Sequence, residues 1–217
     1  MVDSQHDLRD RLAGCVYGAI IGDIFRGINQ ETLVPVFGSE FSLDMQDCLR
    51  YMEGYADGMY PVIEFEGKAP VTLLPDILVF RKSMLSSALG EHTGRFYPQP
   101  YLAACQAVYD TVYMQQGRTT WVRLNGPQNG SESLRGLCDA WNVSVALARE
   151  SYAFPDAIVL SQNQNCDGSV VGMLAGARFG LHSIPGKWLS AVPVNVKNLA
   201  GKFINFAMNA DKSVSEL

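Results

Sequence analysis

The sequence is poor in charge, with 18% Asp, Glu, Lys and Arg, and that charge tilts acidic, 17 Lys and Arg against 22 Asp and Glu. Without a basic excess there is no electrostatic footprint for nucleic acid or an anionic membrane, so neither is expected as the main partner. There is no Cys-x-x-Cys pair. The five cysteines, Cys15, Cys48, Cys105, Cys138 and Cys166, lie far apart in mostly apolar sequence. They read as reduced, buried thiols rather than a disulfide framework or a zinc site. No apolar run is long enough to span a bilayer, since the longest near the start, LAGCVYGAIIG, meets Asp23 at once. The opening MVDSQHDLRDR is polar and lacks a signal-peptide apolar region. Low-complexity tracts, charge blocks and linker-like shifts in composition are absent as well. The expectation is a soluble, cytoplasmic chain whose 217 residues, 47% of them hydrophobic, fold as one domain over residues 1–217.

What is present is helical periodicity. Leu8, Leu12, Cys15, Val16, Ala19, Ile20 and Phe25 fall at three- and four-residue steps, an amphipathic pattern over residues 7–25. The same spacing predicts helices over 43–59, from Pro100 to near Gly117, over 133–152 with Ser131 or Ser133 as N-cap, over FPDAIVLSQ with Pro155 in the first turn, and over 168–181 and 194–209. GEHTGRFYPQP and NGPQNGSES read as turns or surface loops. YPVIEFEGKAPVT is the one stretch with strand-like alternation, and it is short. The fold class is therefore all-α, with roughly seven helices.

Two of these helices carry glycine rows: Gly14, Gly18 and Gly22 in the first, Gly168, Gly172, Gly176 and Gly180 in the other. A glycine inside a helix costs ~1 kcal/mol relative to alanine, so the rows need a compensating gain. At i, i+4 spacing they form one stripe on each helix, where another backbone can approach closely. Helix packing alone is one reading of them. Close packing would also bring helix ends and their polar loops to one place, and aligned N-termini would offer N–H donors to an anion.

LAGCVYGAIIGDIFRG resembles the opening helix of the ADP-ribosylglycohydrolases, which carries glycines and ends in a Gly-Asp pair. FPDAIVLSQNQNCDGSVVGMLAGARFGLHSIPGKWLSAV is similar to the closing region of that family: a helix, a metal-binding loop, a glycine-rich helix, then a Gly…Ile-Pro…Trp-Leu ending. The resemblance implies a single-domain orthogonal helix bundle of the ADP-ribosylglycohydrolase type. It also implies a pair of magnesium ions that orient ADP-ribose and activate water for cleavage of its glycosidic bond.

The chain departs from the family where that chemistry sits. The first metal motif, Thr-Asp-Asp-Thr and often Gln, falls on Ser42, Leu43, Asp44, Met45 and Gln46, which keeps one carboxylate of two. The second, Asp-x-Asp-Thr, falls on Asn163, Gln164, Asn165 and Cys166, where both carboxylates are amides. An acidic residue expected after the Gly-Asp pair is matched by Glu31. The middle motif of Asn-Gly, two small residues and Arg is missing. Magnesium prefers charged oxygen ligands, and amides do not neutralise two dications about 4 Å apart. No metal site and no cofactor are therefore expected, although the family implies magnesium.

The remaining candidates follow from this alignment. Asp44 and Glu31 could form a metal-free acid–base pair, or be one helix-surface and one loop carboxylate. Asn163, Asn165, Cys166, Asp167, Asp23, Ser42 and Gln46 are the candidate ligand-binding residues. Asp167 could equally cap the helix that starts at Gly168, and Asp23 could equally bond backbone in the core. Cys166 precedes a helix N-terminus, which would lower its pKa and favour a nucleophile; the alternative is a packed thiol. His92 falls where the family often has a Thr-His pair, here in the reverse order, and the aromatics Phe96, Tyr97 and Tyr101 would stack an adenine or anchor their loop. His182 reads as structural, and Trp121, Trp141 and Trp188 as core or subunit-contact residues. Three functions stay open. One is a degenerate family member that binds ADP-ribose, a related nucleotide or a protein partner; the others are a metal-independent N- or O-glycosyl hydrolase or transferase acting on an ADP-ribosyl or nucleoside-type substrate, and a purely structural or interaction protein.

Overall fold

The computed structural model describes residues 4–25, 28–29, 34–35, 40–59, 68–79, 99–115, 121–125, 132–162 and 164–214. Among these, nine helices account for nearly all regular structure. They are α1 (Ser4–Ile24), α2 (Leu43–Ala56), α3 (residues 74–79), α4 (Gln99–Val112), α5 (Glu132–Glu150), α6 (Phe154–Ser161), α7 (Gly168–Phe179), α8 (Gly186–Ala191) and α9 (Val194–Val214). A two-residue antiparallel bridge pairs Ile28 with Pro35 and Asn29 with Val34. The seven expected helices are all present. The described part of α3 and all of α8 are too short to show a period, and the 3-10 turn Pro70–Leu73 ahead of α3 holds the end of the strand-like stretch; residues 60–67 of that stretch lie outside the described residues.

α1 and α7 form the centre. α1 reads as amphipathic, yet from Arg11 to Phe25 every residue except Tyr17 is buried, and Ser169–Ala177 of α7 are buried without a break. A helix apolar all round belongs inside, and the only charges on the inner part of α1 are Arg11 and Asp23. α4, α5 and α6 pack on α7, α4, α8 and α9 on α1, and α2 lies against α9.

The glycine rows fix the central pair. A Cβ built on Gly14, Gly18 or Gly22 would meet the carbonyl oxygens of Gly176, Gly172 and Gly168 at 2.2, 2.1 and 2.0 Å. The pairing descends in one chain as it ascends in the other, so the helices are antiparallel. This corrects one expectation: the two N-termini sit at opposite ends of the contact, and it is the C-terminus of α1 that meets the N-terminus of α7. Gly180 ends α7 with φ +79°, a left-handed conformation that favours glycine. No described helix is long and apolar enough to cross a membrane.

Trp188 packs on Phe25 and Phe154 with ring centroids 4.5 and 6.1 Å apart. Trp121 donates to Thr111 Oγ1 and Trp141 to the Val122 carbonyl, so all three tryptophans are core residues. His182 bonds Asp10 through both its backbone N–H and Nδ1, tying the turn after α7 to α1.

Candidate functional site

Where the end of α1 meets the start of α7, the loop 161–167 and the start of α2 close around a cleft of about 530 Å³. Its floor is set by Asp23, which is nearly buried. Asp23 Oδ2 accepts from the Ser42 backbone N–H at 2.9 Å, and Oδ1 accepts from the Ser42 hydroxyl and, at 3.2 Å, from Ser169 Oγ. One carboxylate thus joins α1, the cap of α2 and the first turn of α7. Buried charge is tolerated in this way when every lone pair in use has a donor.

Ser42 is the N-cap of α2, its Oγ accepting from Met45 N–H at 3.2 Å, and Gln46 Nε2 donates to the Phe41 carbonyl at 2.9 Å. Asp44, in the first turn of α2, accepts from Ala69 N–H at 3.0 Å and so pins the segment leading into the 3-10 turn. Asp44 and Gln46 are not among the residues lining the cleft.

Asp167 is the N-cap of α7, with Oδ1 accepting from the backbone N–H groups of Ser169 and Val170 at 2.9 and 3.4 Å. Burial pushes its carboxyl above the ordinary carboxylate range against these hydrogen bonds, and the nearby charge of Asp44 pushes the same way. Cys166 does not gain the acidity expected of a thiol beside a helix N-terminus. Burial and the charge of Asp167 push it up to about 11, and Sγ lies 3.5 Å from the Ser161 carbonyl. A thiol pushed up in this way favours the packed-thiol alternative over the nucleophile.

The structure therefore gathers Asp23, Ser42, Asn165, Cys166 and Asp167 on one cleft. Glu31 and Asn163 lie outside the described residues, as do His92, Phe96 and Tyr97. Tyr101 is buried and donates to the Lys68 carbonyl, so it anchors the 68–69 segment. Sequence reasoning missed Ser161, Gln162 and Ser169 on the same wall, and placed Gln164 in the loop motif without marking it as a site residue. The signal for Ser169 was its place two residues after a helix-capping Asp.

No family model matches the sequence, and no curated protein matches it. Seven solved chains do match in structure. One, described as "ADP-ribosylglycohydrolase-related protein complex", aligns with a TM-score of 0.59 at 16% identity, covering 93% of this chain and 99% of that one. The fold is of the ADP-ribosylglycohydrolase type. Within that fold, the glycine-packed α1–α7 pair is what brings Asp23 and Ser169 into register at the cleft.

Proposed function

We propose that this cleft binds ADP-ribose or a related nucleotide, without a dinuclear magnesium site and without the hydrolysis such a site drives. The observation that carries the reading is the cleft wall. Ser42, Ser161, Gln162, Gln164, Asn165 and Ser169 put hydroxyl and amide groups around an opening of about 530 Å³, within the size range of small-molecule sites. Groups of this kind match the hydroxyls of a sugar, and the fold supplies the nucleotide context.

The magnesium that the fold family implies does not fit these residues. Leu43, 80% exposed beside Ser42, offers no ligand atom, and the Asp44 oxygen Oδ1 is taken by Ala69 N–H. Asp167 is committed as a helix cap with its proton affinity raised, and Asn165 brings no charge. Among the described residues, no group of three or more His, Cys, Asp or Glu side chains is placed to hold a metal ion. A metal-free two-carboxylate mechanism is less well supported, because Asp44 does not line the cleft and accepts from Ala69 N–H through Oδ1. A protein partner seated in the cleft is an outcome that the same test would reveal.

The test is a paired assay on the full chain. ADP-ribose is expected to raise the melting temperature, while ADP-ribosylated protein with magnesium releases no ADP-ribose. Turnover abolished by EDTA would overturn the reading, and indifference of the melting temperature to ADP-ribose would move the cleft toward a protein partner.

A further inference from the structure

A second cavity, of about 440 Å³, lies on the other side of Gln164, which lines both. Its walls are one face of α5, with Asn142, Leu147 and Arg149, and the irregular segment 121–125 carrying Arg123. That segment is riveted to its neighbours through its backbone. Asn142 Oδ1 accepts from Leu124 N–H at 2.7 Å, and its Nδ2 donates to the Leu124 carbonyl at 2.8 Å. Trp141 Nε1 donates to the Val122 carbonyl at 3.0 Å, and Arg149 Nη2 donates to the Trp121 carbonyl. The backbone on either side of Arg123 is held while its own side chain is exposed at the cavity.

The second cation is short of partners. Arg149 Nε is buried and has no hydrogen-bond partner among the described residues. An unsatisfied buried guanidinium nitrogen is costly, and a charged, planar donor set of this kind pairs best with an oxyanion. Glu150 also lines the cavity, leaving two cations against one carboxylate where the rest of the chain is net acidic.

We propose that this cavity is an oxyanion site for a phosphate-type group, with Arg123 as its accessible contact and Arg149 as the positioned cation behind it. The anion is either free or carried by the nucleotide whose sugar occupies the acidic cleft beyond Gln164. The bridging case rests on the function proposed above; the oxyanion site does not.

Calorimetry on the full chain with inorganic pyrophosphate, at low and high salt, tests it. Binding is expected, weakening with salt, weakened about tenfold or more by Arg123→Gln and unchanged by Asn165→Ala. Arg123 is exposed, so its substitution leaves the fold intact; circular dichroism of the variant checks this. No pyrophosphate binding, or binding indifferent to Arg123→Gln, overturns the site. ADP-ribose, run in parallel, identifies the source. Sensitivity to both Arg123→Gln and Asn165→Ala marks one ligand across both cavities, and sensitivity to Asn165→Ala alone marks a free anion. If ADP-ribose does not bind while pyrophosphate still does, the nucleotide reading fails and the oxyanion site stands.

Discussion

Asp167 does two jobs that pull in opposite directions. As N-cap it needs only an oxygen acceptor, yet its charge is poorly solvated and faces the charge of Asp44. Because its folded pKa is raised, its contribution to stability is greatest below the unfolded carboxylate value and is lost as pH rises through the folded one. Asparagine caps as well as aspartate and carries no charge. Asp167→Asn is therefore expected to match the parent near pH 3 to 4 and to become the more stable of the two as pH rises to 7. Asp167→Ala should lose about 1 kcal/mol of capping even at low pH. Thermal melts across that range check both. Cys166 gives a second expectation at this scale. With its thiol pushed up to about 11, its alkylation at pH 7.5 should be slow, and the rate should keep rising through pH 10; fast labelling at neutral pH would contradict the assigned environment.

Among the elements, α1 and α7 set the position of everything else. Gly18→Ala would place a methyl 2.1 Å from the Gly172 carbonyl oxygen, and neither backbone can yield without parting the helices. The expected cost is ~3 kcal/mol or more, a fall in melting temperature on the order of 6–12 °C for a chain of this size. Gly201, inside α9 with open space around its Cβ position, is the control, and Gly201→Ala should gain about 0.5–1 kcal/mol. Differential scanning calorimetry of the pair separates close approach from helix propensity. The glycine period itself was legible in the sequence, because i, i+4 spacing marks a stripe whatever it faces. Its partner and direction were not, since two antiparallel stripes and two parallel ones read the same in one dimension. The burial of α1 was missed for a related reason: small residues such as Gly14, Gly18 and Gly22 fill the face that an amphipathic reading assigns to solvent.

At the scale of the whole molecule, the sequence carried the fold through its two ends, while the middle of the chain offered only periodic helices. The candidate site was half legible. Asp23, Ser42, Asn165, Cys166 and Asp167 were marked by family-like motifs and do share one cleft. The internal partners of Asp23 and Asp44 were not foreseeable, because Ser42, Ala69 and Ser169 reach them only through tertiary packing. The amides at the loop also make an engineering prediction. Leu43→Asp combined with Asn163→Asp and Asn165→Asp should make the melting temperature magnesium-dependent, by several degrees at saturating ion, where the parent shows no dependence. No magnesium response in the triple variant would mean that these positions do not face one another.

The most direct measurement is calorimetric titration of the full chain with ADP-ribose, once with magnesium and once with EDTA. The expected result is binding of the same affinity in both, weakened by Asn165→Ala. Binding that appears only with magnesium, or no binding in either, would contradict a cleft that has kept its ligand and lost its metal.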